Sequence, residues 1–283
     1  MTFIKSLNIS RENVNQCPCC GNEKYGKSFN DYHGISYYVC QQCKSIYQNP
    51  KINDTYDDSY WKDSKGPDGN KRDLTNERDF KVKNWYGDAA SVVNGMKGGR
   101  ILDAGAGLGY FLSSIGKNWD KHALDSSEFA VQFMRDNYSE IKVQQGTLKS
   151  VSFPEHYFDV IMLYHVIEHL SDPSEVLEII SHILKPKGTL IIGTPNIGSL
   201  AAKIFKGNFR LYGPGHVCLF NPQSLKKLLS KHSYRVQRIE YPFFKTDYAN
   251  LSSLLRMCQP WKISPPFWGS IMTIYAVKDE DSF

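Results

Sequence analysis

The chain has 283 residues, 41% of them hydrophobic and 22% charged, with 34 Lys+Arg against 29 Asp+Glu. This length fits two domains, or one large domain with an appendage, at about 150 residues each, and the composition excludes global disorder and fibrous structure. No run of about 18 apolar residues is present, so no membrane span is expected. Met1-Thr2-Phe3-Ile4-Lys5 lacks the apolar core of a secretion signal, so a cytoplasmic protein is expected. The net charge of +5 is scattered, with basic and acidic residues interleaved; that argues against a dedicated nucleic-acid binder and leaves mild steering of an anionic ligand.

Residues 12–50 read as a zinc ribbon. Cys17-x-x-Cys20 and Cys40-x-x-Cys43 stand 19 residues apart, the spacing of a structural zinc site. Each CxxC turn aims two thiolates at one point, and two turns complete a tetrahedron. Gly21 suits the tight backbone after the first knuckle. Tyr37-Tyr38-Val39 reads as a short strand feeding the second. Cys19 is surplus to this set. A segment this small cannot build its own core and needs such a staple, and four thiolates close the site, so the metal is expected to be structural.

Residues 51–97 connect the ribbon to the remainder. Tyr56, Tyr60 and Trp61 form an aromatic group, read as packing or as a flap over a ligand site. Gly66-Pro67-Asp68-Gly69-Asn70 signals a loop. From Thr75 to Val93 the spacing of Phe80, Val82, Trp85, Tyr86, Ala89 and Val93 predicts an amphipathic helix.

The glycine-rich stretch Arg100-Ile101-Leu102-Asp103-Ala104-Gly105-Ala106-Gly107-Leu108-Gly109 begins as a buried strand and turns into a helix. Glycine there lets the backbone approach a ligand, and the helix start offers free N–H groups. The pattern is GxGxG, not the GxGxxG of dinucleotide-binding proteins. Asp103 before the turn repels a pyrophosphate and suits a cationic or amino-acid end. About 20 residues on, Lys121-His122-Ala123-Leu124-Asp125 reads as a second strand ending in an acid that accepts both hydroxyls of a ribose. Glu128 to Tyr138 follows as a helix capped by Ser126 or Ser127.

These residues resemble class I S-adenosylmethionine-dependent methyltransferases. LDAGAGLG is similar to that family's first motif and ALDSSEFAV to its acid-ended second strand. Phe158 to Asn196 resembles the subgroup that includes ubiquinone-pathway O-methyltransferases. A ribbon before such a core is also similar to sugar methyltransferases of natural-product and surface-glycan pathways. The resemblance implies a doubly wound α/β fold with a seven-stranded, mostly parallel, Rossmann-like sheet over residues 98–283. It implies S-adenosylmethionine bound by Asp103, Gly105, Gly107, Gly109 and Asp125. The family's Gly-Asp after the third strand is Gly146-Thr147 here, so Thr147 and the backbone of Leu148 are left to meet the adenine, and Thr147 is a weaker acceptor than a carboxylate.

The fourth strand, Phe158 to Leu163, leads into Tyr164-His165-Val166-Ile167-Glu168-His169. Ligands of open parallel sheets sit at the carboxyl ends of strands, so methyl transfer is expected here. A hydroxyl acceptor must also lose a proton, and a histidine oriented by a carboxylate does this near neutral pH. His165 and His169, four apart, would share a helical face. His169 is read as the base, Glu168 as its partner and His165 as a cofactor contact.

After a fifth strand, Thr189 to Gly193, residues 197–220 form an insertion. Its Gly213-Pro214-Gly215-His216 core reads as a substrate lid, with His216 a second candidate base and Arg210 a binder of phosphate or carboxylate. Asn221-Pro222 starts another helix. Strands near Tyr234–Tyr241 and Ser270–Val277 complete the sheet, and a second insertion, 245–268, is expected to wall the acceptor pocket. The acceptor is expected to be a sugar, nucleotide-linked sugar or similar small hydroxyl compound, methylated on oxygen or carbon. The competing reading, a zinc-ribbon RNA base methyltransferase, lacks its motifs: no Asn/Asp-Pro-Pro-aromatic segment follows the fourth strand, and the lone Pro-Cys, Pro18-Cys19, lies in the ribbon. A non-catalytic binding module is disfavoured by the complete glycine turn and second-strand acid.

Overall fold

The computed structural model describes residues 11–52, 58–62, 64–65 and 71–279. Tyr56 and the loop Gly66 to Asn70 lie outside the described residues. Three runs, Ile101 to Ala104, Val160 to Tyr164 and Leu190 to Pro195, are buried without alternation, the pattern of strands covered on both faces. They form the middle of a seven-stranded sheet. Its strands are β1 (Gly99–Ala104), β2 (Trp119–Asp125), β3 (Ile141–Gln145), β4 (Phe158–Tyr164), β5 (Leu184–Pro195), β6 (Tyr234–Glu240) and β7 (Ile271–Lys278). The spatial order is β3-β2-β1-β4-β5-β7-β6, with β7 antiparallel to both its neighbours and the remainder parallel. The order reverses between β1 and β4, so a crevice opens at their carboxyl ends.

Helices cover both faces. Glu128–Asn137 is capped by Ser127, whose side chain accepts from Ala130 N, and buries Ala130, Val131 and Met134. Pro173–Ile183 is capped by Asp172 and buries Val176, Leu177 and Ile180. Pro222–Lys231 starts at an Asn221–Ser224 capping box and buries Leu225, Leu228 and Leu229. No helix among the described residues is long and apolar enough to cross a membrane.

The single helix predicted over 75–93 is instead broken. A 3-10 turn at Leu74–Asn76 precedes α-helix Arg78–Lys81, π-helical Val82–Tyr86 and α-helix Gly87–Asn94. Periodicity cannot register a π turn, which inserts one residue and rotates the side chains beyond it. Here it presents Asn84, Trp85 and Tyr86 to the crevice, where π turns often mark functional sites.

The cysteine-rich segment is a small antiparallel sheet that is not self-contained. Tyr25–Asn30, Ser36–Cys40 and Ile46–Gln48 pair in order, and Cys218–Leu219 adds a fourth strand through Cys218↔Tyr47 and Leu219↔Ile46. The 197–220 insertion is therefore no open lid. It holds helix Leu200–Phe205, and its Phe205, Phe209 and Tyr212 are buried against Tyr37 and Ile35. Their burial explains why this aromatic-rich segment is a fixed wall: each large apolar side chain removed from water contributes about 1.5–3 kcal/mol.

Candidate active site

The crevice is a cavity of about 840 Å³, in the upper part of the roughly 300–1,000 Å³ range of small-molecule sites. One end is the glycine turn. Gly105, Gly107 and Gly109 have φ of +84°, +54° and +73°, which side-chain-bearing residues adopt at a cost. A Cβ on Gly105 would lie 2.4 Å from Val166 Cγ2. The chain therefore turns sharply beneath the ligand position while Val166 packs over it. Gly109 caps helix Tyr110–Ser114 and, like Asp103, does not line the cavity.

Asp125 ends β2 at this turn. Its Oδ2 accepts from Gly107 N at 2.7 Å and its Oδ1 from Ser127 N at 2.9 Å. Burial raises its pKa, and these amide donors oppose the shift. Trp61 closes the turn from above. Its Nε1 donates to Ser127 Oγ at 3.1 Å, and its ring edge lies 3.4 Å from where a Gly107 Cβ would sit. Gly146, Thr147 and Leu148 continue the wall beyond β3, with Thr147 N donating to Ser150 Oγ at 2.8 Å. Asp103 lies behind the turn, 3% exposed. Burial, reinforced by Asp125, pushes its carboxyl up to about 8.

The other end holds three histidines. The predicted helical face joining His165 to His169 does not form, because His165 sits at φ +56° and only a 3-10 turn, Ile167–His169, follows. The carboxylate belongs to His165 instead. His165 Nδ1 lies 3.0 Å from Glu168 Oε1, and Thr194 Oγ1 donates to Glu168 Oε2 at 3.0 Å. His165 Nε2 is buried without a hydrogen-bond partner among the described residues. Glu168 is 0% exposed and does not line the cavity, so it acts only through its neighbours. Burial works to raise its carboxyl, but the His165 hydrogen bond and the nearby imidazoles prevail and hold it at about 2. Glu168 is therefore acceptor-only, so His165 Nδ1–H donates to it and the Nε2 edge is the one left towards the cavity side of the ring.

His169 and His216 meet with ring centroids 4.8 Å apart. His169 Nδ1 lies 2.9 Å from Gly215 O, and His216 Nδ1 lies 2.7 Å from Leu211 O. Burial, then the neighbouring imidazole, lowers His169 to about 4, and burial lowers His216 as well. Both are neutral. Ligand atoms of Glu168, His169 and His216 lie within 4.8 Å of one another, close enough to surround a cation.

Sequence reasoning did not place four cavity residues in the site: Lys81, which ends helix Arg78–Lys81, and Asn84, Trp85 and Tyr86 of the π-helical turn. Asn84 Nδ2 donates to Asp247 Oδ2 at 3.0 Å and its Oδ1 accepts from Asp247 N at 2.7 Å. That pair ties the connecting segment to 245–268, which contributes Tyr248, Pro266 and Phe267 to the cavity.

Away from the crevice, the sulfurs of Cys17, Cys20, Cys40 and Cys43 lie within 4.8 Å of one another, with Cys17–Cys43 at 3.6 Å and Cys20–Cys40 at 3.5 Å. A tetrahedron with Zn–S of about 2.3 Å needs sulfurs about 3.8 Å apart, so the set fits such an ion. Both knuckles close with a left-handed residue, Gly21 at φ +70° and Lys44 at φ +65°. The surplus Cys19 has its Sγ 2.9 Å from Cys218 Sγ.

The strand order, the GxGxG turn and the strand-end carboxylate together define a Rossmann-like fold of the methyltransferase type. The chain belongs to the methyltransferase-domain family, whose model matches residues 88–239. A Mycobacterium tuberculosis protein named as a probable S-adenosylmethionine-dependent methyltransferase is 30% identical over 134 residues, 44% of this chain and 48% of that one. The ubiquinone biosynthesis O-methyltransferase of Pasteurella multocida is 28% identical over 123 residues, 38% of this chain and 50% of that one. The chain thus spans about half the length of the curated relatives it matches. Among solved structures, the YcgJ protein of Bacillus subtilis aligns with a TM-score of 0.52 at 18% identity, covering 69% of this chain and 97% of that one. A SAM-dependent methyltransferase from Aquifex aeolicus aligns with a TM-score of 0.52 at 16% identity, covering 79% and 99%. These two show the fold.

Proposed function

We propose that this chain is an S-adenosylmethionine-dependent methyltransferase acting on a hydroxyl, or a carbon, of a small molecule, with a sugar or nucleotide-linked sugar as the acceptor class. The observation that carries the reading is Asp125. It stands at a strand end, braced by the Gly107 amide, at the mouth of a cavity that runs on to a carboxylate-held histidine. When bound, S-adenosylmethionine supplies an electrophilic methyl. Asp125 is suited to hold the ribose diol, Gly105 and Gly107 to let the amino-acid end lie against bare backbone, and Thr147 and Leu148 to border the adenine.

His165 is the base in this proposal. Its Nε2 has no hydrogen-bond partner among the described residues, and Glu168 holds its Nδ1 side. A base positioned this way contributes about 10²–10⁴-fold. His169 and His216 shape the acceptor end, each with Nδ1 held at a backbone carbonyl. Val166, packed over Gly105, borders the path between the glycine turn and the histidines. We further propose that the four clustered cysteines hold a structural zinc ion that keeps the ribbon, and through it Cys218 and His216, in place.

The test is calorimetry with S-adenosylhomocysteine. The full chain should bind it, and Asp125→Ala should lose most of that affinity. Isotopically labelled cofactor should deliver label to nucleotide-sugars and not to total RNA. No heat of binding, with Asp125→Ala indistinguishable from the parent, overturns the enzymatic reading. Metal analysis of protein purified without chelator checks the ribbon: about one zinc per chain is expected, and none in Cys40→Ser/Cys43→Ser.

A further inference from the structure

Arg210 is placed as a functional side chain, not a structural one. Its backbone is held on both sides: its N–H donates to Ser264 Oγ at 3.0 Å, and its carbonyl accepts from Tyr32 OH at 3.3 Å. The residue lines the cavity, and its Nε is buried and unpartnered among the described residues. Every other arginine whose side chain is described has a carboxylate or a polar partner. Burying a guanidinium without a counter-charge is costly, so a fold tolerates it where a ligand completes the pairing.

Lys81 repeats the pattern. It lines the same cavity with its Nζ 3.2 Å from the centroid of Trp85, and no carboxylate among the described residues lies within ion-pair reach of it. The cavity's two acids are engaged elsewhere. Asp125 accepts from Gly107 and Ser127, and Asp172 caps its helix through Glu175 N. Burial lowers both Arg210 and Lys81 from their ordinary values, as expected of cations that line a cavity without a counter-charge.

We propose that the acceptor carries an oxyanion, a phosphate or a carboxylate, that seats on the Arg210 guanidinium, with Lys81 contributing a second positive charge to the same cavity. The planar fork of Arg210 matches such a group with two parallel N–H···O bonds. This deepens the acceptor reading above and rests on it. The reactive hydroxyl would lie towards His165 and the anion towards Arg210, so the charge orients the acceptor.

The experiment uses the full chain saturated with S-adenosylhomocysteine and follows its thermal midpoint during titration with inorganic pyrophosphate and, separately, with glucuronate. Pyrophosphate stabilisation marks a phosphate-bearing acceptor, and glucuronate stabilisation a carboxylate-bearing one; either supports the proposal if Arg210→Gln weakens it about 10- to 100-fold. Arg210→Lys should recover part of the effect and Lys81→Met should lose part. Without ligand, Arg210→Gln should melt no lower than the parent, because it removes an unpaired buried charge. If neither probe stabilises the parent, or Arg210→Gln responds as the parent does, the proposal is overturned. The S-adenosylhomocysteine stabilisation in the same runs reports separately on the methyltransferase reading.

Discussion

At the scale of single residues, the decisive pair is His165 and Glu168. Glu168→Gln keeps the shape but removes the acceptor-only group that holds His165 Nδ1. We expect turnover to fall about 10²-fold or more, within the range for a misoriented base, while affinity for S-adenosylhomocysteine is unchanged. Steady-state kinetics beside calorimetry separates the two. His169 supplies a pH prediction. Its folded pKa, at about 4, is below the ordinary 6.5 because burial disfavours its charged form. Between these values the unfolded chain binds the proton and the folded one does not, so stability falls as pH drops from about 6.5 to about 4. The thermal midpoint should decline over that window, and His169→Gln should flatten part of the decline. Of this site, Asp125 and the glycines were legible in the sequence because a strand-to-helix turn leaves a local signature. The partnership of Glu168 with His165 was not. Helical spacing pointed to His165 and His169 on one face, and a positive φ at His165, which no composition announces, turned the two apart.

At the scale of elements, the π-helical turn Val82–Tyr86 and the second insertion hold the acceptor end together through Asn84 and Asp247. Asn84→Ala removes a two-way hydrogen bond at a residue 5% exposed. The cost should be about 1–3 kcal/mol, with a thermal midpoint lower by about 2–4 °C per kcal/mol and a larger loss in acceptor handling than in cofactor affinity. Comparing midpoints and both affinities in the variant checks it. The strands of the central sheet were legible because runs such as Val160-Ile161-Met162-Leu163 can only be buried. Their lengths were less so. β5 extends to Leu184–Pro195, beyond the apolar run Thr189–Gly193, because its Phe158↔Leu184 pairing and its antiparallel pairing with β7 continue past the hydrophobic stretch. The helix predicted over 75–93 failed for the opposite reason: its apolar spacing is right, while the winding changes class within it.

At the scale of the whole molecule, the ribbon is joined to the methyltransferase fold by shared backbone. Cys218–Leu219 pairs with Ile46–Gln48, Gln48 Nε2 donates to Gly213 O at 2.8 Å, and Tyr37 OH donates to the same carbonyl at 3.0 Å. With the proposed zinc in place, a chelator should therefore lower turnover more than S-adenosylhomocysteine affinity, since His216 lies two residues before Cys218 and Asp125 belongs to a different part of the sheet. Parallel assays after chelator treatment check this, and equal losses in both would contradict it. The CxxC spacing made the thiol cluster legible. The joining was not, because a two-residue strand far along the chain has no periodicity to read.

That shared edge has a consequence for anyone trimming or grafting this protein. A fragment beginning after residue 52 would leave Cys218 and Leu219 with an unsatisfied hydrogen-bonding rim and strip Tyr37 from the aromatic floor beneath Tyr212. Such a fragment should be sticky and prone to associate through that rim. The small N-terminal lobe thus behaves less as a detachable cassette than as a keystone, and chimeras that exchange it should carry residues 197–220 from the same parent.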